Sequence, residues 1–166
     1  TPNVYIRNYD ELCDRIREIP GVKGCSPRIE WKAWLQFRNT YKEVTFLGIR
    51  PEQERGVSQL ENYFKAGGKG HFDFKTEPSP DGIRIDVPRG VVLGREFPVF
   101  GRLVDFQLMT VRYEGGPFHK TFQSVGDFKS GMAEYDHGFL IMDLADAQSF
   151  LKLKGAITTV SITLDQ

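Results

Sequence analysis

Asp143-Leu144-Ala145-Asp146-Ala147, running to Gly155 and then Ile157-Thr158-Thr159-Val160-Ser161-Ile162-Thr163-Leu164, echoes near the end of the chain a pattern that opens it. The first copy starts at Asn8-Tyr9-Asp10-Glu11-Leu12, stops at Ile19-Pro20-Gly21 and continues as Val22-Lys23-Gly24-Cys25-Ser26-Pro27-Arg28-Ile29. Aligned on the helix starts, Asn8 falls on Asp143, Ile16 on Leu151, Val22 on Ile157, Ser26 on Ser161 and Ile29 on Leu164. Strand-like runs, Val4-Tyr5-Ile6 and Phe139-Leu140-Ile141-Met142, precede the two copies. Two β-α-β units therefore bracket the chain, and everything between them is an insertion. In the first helix Leu12, Ile16 and Ile19 recur at helical spacing, with Asn8 or Asp10 as the capping candidate.

Working outward, the period switches to two from Ile29: Ile29, Trp31, Ala33, Leu35 and Phe37 alternate with Glu30, Lys32, Trp34, Gln36 and Arg38. Asn39-Thr40 turns the chain back through Val44, Phe46 and Gly48, a hairpin with one apolar face. Trp34 lies on the polar face and is expected under a neighbouring loop. Residues 51–66 read as a turn and short helix, and Gly67 to Pro88 as an irregular surface connection. Gly90-Val91-Val92-Leu93-Gly94 reads as a buried strand. A second hairpin runs from Asp105 to Tyr113, turns at Glu114-Gly115-Gly116-Pro117 and returns from Phe118 to Val125. The expected class is α+β, with residues 1–30 and 127–166 forming the paired units and residues 31–126 an inserted β-rich subdomain.

The 166 residues hold 22 Lys and Arg against 22 Asp and Glu, and 40% are hydrophobic. A core is assured, and zero net charge argues against nucleic acid as the partner, because affinity there rests on a phosphate-neutralising excess of cations. No apolar run approaches the length of a membrane span. The chain starts at Thr1 and is expected to be a piece excised from a longer protein, so the lack of a targeting signal says nothing about compartment.

Cys13 and Cys25 could close a disulfide loop in an oxidising compartment, or pack as two small buried hydrophobes; the sequence leaves both open. His71, His119 and His137 are the only histidines. His71-Phe72-Asp73 and Asp136-His137 pair imidazole with carboxylate, but without metal-ligand spacing, so they read as surface histidines. Glu134 and Asp136, on a turn-like segment, are expected to be solvated. There is no GxSxG elbow, and Gly67-Gly68-Lys69-Gly70 lacks phosphate-loop spacing. No catalytic, cofactor or metal site is expected.

Three segments go further. Tyr9 to Leu12 with Ile19 to Val22 and Ser26 to Ile29, then Gly48-Ile49-Arg50-Pro51-Glu52-Gln53-Glu54 with Gly90 to Glu96, and above all Phe128-Lys129-Ser130-Gly131-Met132-Ala133-Glu134-Tyr135-Asp136 followed by Leu144 to Leu151, stand in the right order. Together they resemble the extracytoplasmic domain of MacB/FtsX-type ABC transporter permeases, in particular the lipoprotein-releasing LolC/LolE-like branch. The resemblance implies a porter-like, ferredoxin-like subdomain carrying the β-rich insertion, placed outside the inner membrane between the first two transmembrane helices. It implies a non-catalytic domain that handles lipoprotein or another hydrophobic cargo. Its partners are a cytoplasmic ATPase subunit or domain and a second permease subunit. A mechanotransmission or efflux permease that engages a periplasmic adaptor or wall hydrolase is the alternative, and Arg112, Tyr113, Phe118 and His119 are then the candidate contact. A stand-alone ligand-binding module is the reading from a different class.

Overall fold

The computed structural model describes residues 5–60, 62, 63, 74, 76, 88–97, 104–112 and 114–166. The Gly67–Gly70 loop, His71, Tyr113 and nearly all of the irregular connection expected before Pro88 lie outside the described residues. The chain opens with β1 (Ile6–Arg7), α1 (Tyr9–Arg17) and a long β2 (Val22–Phe37). β3 (Thr40–Ile49), α2 (Pro51–Glu54), β4 (Arg89–Gly94), β5 (Val104–Arg112) and β6 (Gly116–Phe128) follow. It closes with α3 (Ala133–Gly138), β7 (Phe139–Asp143), α4 (Leu144–Leu151), β8 (Ala156–Ile157) and β9 (Thr159–Leu164).

Both hairpins form as their period-two patterns dictate. Phe37 pairs with Thr40 across the first, and Arg112 with Gly116 across the second. Gly115 and Gly116 take φ of 106° and 72° in that second turn, a backbone region that side chains with a Cβ rarely enter. The long-range pairing is less obvious. β7 lies parallel to β3 on one side and antiparallel to β4 on the other, β4 runs parallel to β6, and β5 joins β2 at Trp34–Gln36. With β2 and β3 already paired, six strands close into a ring, and β9 extends β2 beyond it along Val22–Arg28. The result is a mixed α and β fold in which β2 crosses from the first β-α-β unit into the inserted stretch without a break.

The two echoing units meet through their own strands. β2 and β9 are antiparallel with Ser26 opposite Ser161, the pair that the sequence echo equates. An antiparallel ladder centred on equivalent residues is what a local two-fold relation between the units produces. β1 runs antiparallel to β8 with Ile6 opposite Ile157, so β1 begins beside the start of β9. Asp165 N–H donates to Gly21 O at 2.8 Å, which brings the α1–β2 turn to the end at which β9 finishes.

Two apolar clusters fill the two sides of the strands, as alternation requires. The larger gathers Ile29, Leu35, Phe46, Phe106, Leu108 and Phe122 with Leu144, Ala147 and Phe150 of α4. α4 comes so close that a Cβ on Gly48 would stand 2.5 Å from that of Ala147, so only glycine fits there. The smaller cluster, Leu47, Ile49, Phe74, Val92, Val125, Phe128 and Ile141, lies on the other side.

α1 departs from the expected pattern. Its buried residues are Tyr9 and Cys13, four apart, while Ile19 falls past the helix end and is 53% exposed. Asn8 holds the cap position at φ 52° with no side-chain cap; its carbonyl accepts from Leu12 N–H instead. The Cys13 and Cys25 side chains, both buried, face each other across α1 and β2 with Cα atoms 5.5 Å apart and are joined as a disulfide. Closing a loop of this length stabilises by about 3 kcal/mol in the chain-entropy model. Urea unfolding with and without a thiol reductant should show that loss, with two titratable thiols appearing together; equal midpoints would show the bond contributes nothing.

Candidate functional site

The segment after β3 is pinned to β2 by a buried carboxylate. Pro51 starts α2, where its missing N–H has no cost, and one turn later Glu54 is fully buried. Ser26 and Arg28, two apart on β2 and so on one face of the strand, both reach it. Ser26 Oγ donates to Glu54 Oε2 at 3.0 Å, Arg28 Nε donates to the same oxygen at 3.2 Å, and Arg28 Nη2 donates to Oε1. Both oxygens of the carboxylate are thereby engaged, as burial of a charge demands.

A second carboxylate fixes the opposite wall. Asp136, expected in solvent, is 5% exposed. It accepts from Ser130 N–H at 2.7 Å, Ser130 Oγ at 2.8 Å and Gly131 N–H at 3.1 Å. Burial alone would raise its pKa; these three donors and the nearby Lys129 outweigh it and bring the group below the usual carboxylate range. Glu134, by contrast, is exposed. Lys42 Nζ donates to His137 O and sits 4.7 Å over the Phe97 ring, and partial desolvation lowers its pKa.

Between these two anchors lies an apolar groove of about 250 Å³. Buried Leu47, Phe128 and Ile141 line it together with half-buried Leu60, Tyr63 and Phe139. Arg28, held by Glu54, also borders it. Met132 and Tyr135, 47% and 40% exposed, belong to its rim, and the Tyr135 ring packs 4.6 Å from that of Phe139. The volume falls below the roughly 300–1,000 Å³ of small-molecule pockets. Such a groove can grip part of an apolar ligand, not enclose a whole one. A wider cleft of about 630 Å³, more polar, borders Tyr5, Arg7, Glu114 and Lys152.

The contact residues expected from the sequence are placed differently from one another. Arg112 stacks 3.5 Å over the Phe118 ring and donates from Nε to Phe150 O at 2.9 Å, and the Phe118 ring lies 5.9 Å from that of Phe150. These two side chains are therefore tied to the core. His119 alternates to the opposite face and is exposed, while Tyr113 lies outside the described residues. The sequence held the signal for this split, since Phe118 and Phe122 share one face of β6 and His119 and Thr121 the other. Trp34, expected under a loop, is 40% exposed and pairs with Met109 of β5. Among the described residues no cluster of His, Cys, Asp and Glu could hold a metal ion, and no helix is long and apolar enough to cross a membrane.

No protein-family model matches the chain. Its sequence is 28% identical over 145 residues to the lipoprotein-releasing system transmembrane protein LolC of Xylella fastidiosa (strain Temecula1 / ATCC 700964), covering 87% of this chain and 34% of that protein. The chain thus spans about a third of the length of this curated relative. Its fold is similar to the crystal structure of the extracellular domain of the noncanonic ABC-type transporter YknZ from Gram-positive bacteria. The TM-score is 0.56 at 10% identity, over 100% of this chain and 76% of that one. The periplasmic region of MacB from Actinobacillus actinomycetemcomitans gives 0.49 at 9% identity, over 97% and 67%. The likeness to the YknZ extracellular domain is one of fold.

Proposed function

We propose that this domain couples ATP hydrolysis, carried out on a separate cytoplasmic subunit or domain, to the handling of a hydrophobic cargo outside the inner membrane, and that the cargo is lipoprotein. The domain itself is non-catalytic and works beside a second permease subunit. The observation that carries the reading is the lining of the groove. Arg28, Phe128, Tyr135, Phe139 and Ile141 come from residues 1–30 and 127–166, the porter-like part, whereas Leu47, Leu60 and Tyr63 come from the insertion over 31–126. Leu47 and Ile141 are ladder partners on β3 and β7 and form a shared floor, so displacement of the segment that carries Leu60 and Tyr63 changes the width of the groove, and motion relayed from the membrane opens or closes an apolar grip. The LolC relative is by name lipoprotein-releasing, which favours an acyl chain as the group gripped. The disulfide fits an oxidising compartment outside the cytoplasm.

A photocrosslinker at Leu60 or Phe139 of the intact protein should capture lipoprotein in cells. Met132→Glu together with Tyr135→Glu, changes at exposed positions, should abolish capture while leaving the fold intact. Crosslinking that yields only unlipidated periplasmic proteins would refute lipoprotein as cargo. It would favour the second reading, a permease domain that engages a periplasmic protein. One observation supports that alternative: Glu43, Trp34, Met109 and His119 form a continuous exposed row across β3, β2, β5 and β6.

A further inference from the structure

The chain has three methionines and two cysteines, and the fold gives their sulfur atoms unequal access to an oxidant. Cys13 and Cys25 are already joined to each other, so no free thiol remains. Met142 lies inside the larger core cluster with no exposure. Met109 is 39% exposed on β5, opposite Trp34 of β2. Met132 is the most open at 47%, and it alone of the three lines the groove. Its backbone is held in place. Its N–H donates to Ser130 Oγ at 3.1 Å, and its carbonyl accepts from Tyr135 N–H and Asp136 N–H at 3.1 and 3.0 Å. Ser130 Oγ in turn donates to the buried Asp136 carboxylate at 2.8 Å. A fixed backbone keeps the thioether at the rim, while its flexible side chain can mould to an irregular apolar ligand.

We propose that Met132 is an oxidation switch for the groove: a peroxide converts its thioether to the sulfoxide and weakens the grip on an acyl chain. The switch presupposes the cargo reading of the groove given above. The sulfur lone pair attacks one peroxide oxygen, the O–O bond breaks, and the sulfur is oxidised by two electrons. The transferred oxygen gives up its proton and the departing hydroxide takes one up, leaving water. The product turns an apolar side chain into a polar one. With the groove empty, Met132 is open enough for water to hydrogen-bond the new oxygen, so the fold is left alone. With an acyl chain seated, hydrocarbon shields that oxygen and offers it no donor, the cost of any polar group buried without a partner. The penalty therefore falls on the occupied state and is read as lost affinity. Methionine sulfoxide reductases return the thioether, so the grip can be restored. The same chemistry at Met109 alters a surface outside the groove lining and leaves the grip as it was.

The test uses the intact protein in isolated membranes, treated with hydrogen peroxide and mapped by peptide mass spectrometry. Met132 and Met109 should each gain one oxygen and Met142 none. Lipoprotein capture from a photocrosslinker at Leu60 should fall several-fold after treatment. It should recover on incubation with the two methionine sulfoxide reductases, one for each sulfoxide epimer. Whatever its starting level, capture by Met132→Leu should not change on peroxide treatment, whereas Met109→Leu should lose capture by the same factor as the parent. An unoxidised Met132, capture undiminished by its oxidation, no recovery with the reductases, or a loss that persists in Met132→Leu would each overturn the switch and leave the cargo reading standing. Absence of capture before any peroxide is a different result: it ends the cargo reading, and the switch falls with it.

Discussion

Glu54→Ala should destabilise the domain by about 3–5 kcal/mol, the range for removing one partner of a buried ion pair. Glu54 has no exposure, and its removal strands two donors at once, the Ser26 hydroxyl and the Arg28 guanidinium. The Arg28 side chain keeps only 20% of its surface exposed, too little for water to replace both carboxylate oxygens. The loss is large against a total stability of roughly 5–15 kcal/mol. Glu54→Gln should cost less, because an amide oxygen still accepts from Ser26 while the charge attraction is gone. Replacing the pair together, Arg28→Met with Glu54→Leu, should recover most of the loss, since apolar side chains of similar volume often match a buried ion pair. Urea unfolding of the four proteins gives the answer. A loss under about 1 kcal/mol in Glu54→Ala would mean that α2 peels away from β2 at little cost. The groove wall it carries would then be set by something else.

What the sequence showed and what it withheld divide along a physical line. The hairpins β2–β3 and β5–β6 and the strand β4 were readable because alternation and turn residues are local signals. The echo of the two β-α-β units was readable because matched runs recur at matched spacing. The insertion of β7 between β3 and β4 was not, since Phe139 to Asp143 offers only a short apolar run with no mark of its partners. Ring closure depends on three residue pairs between β2 and β5, far apart in the chain. Asp136 looked solvated because its donors, Ser130 and Gly131, become visible only when the loop folds back on the helix start. Ile19 matched the helical period of α1, but the helix stops at Arg17, ahead of Pro20-Gly21, and leaves Ile19 exposed beyond its last turn. The groove was hidden for the same reason as the ring: its lining comes from four separated segments that no single period links.

Phe150→Ala is the second large effect, at about 3–5 kcal/mol for truncating a buried aromatic. The Phe150 ring is fully buried and meets those of Phe46, Phe118 and Phe122 at 5.5, 5.9 and 5.2 Å. These three come from β3 and β6, so a single α4 side chain fastens the helix to two walls of the ring. The surrounding strands are held by their ladders and can collapse into the void only in part, which places the cost toward the upper end. Phe150→Leu retains most of the volume and should lose less than half as much. Because Phe118 also supports the Arg112 stack, Phe118→Ala and Phe150→Ala should be coupled, their combined loss departing from the sum by about 0.5–3 kcal/mol. α4 is also the direct link between β7, whose Phe139 and Ile141 line the groove, and β8–β9, which lead to the chain exit. A helix loosened at Phe150 would pass less of any displacement from that exit to the groove. Phe150→Leu, folded but slackened, should therefore weaken cargo capture at Leu60 in the intact protein before it weakens stability noticeably. Undiminished capture at full expression would mean that force reaches the groove by another route, through β2 and the Glu54 anchor.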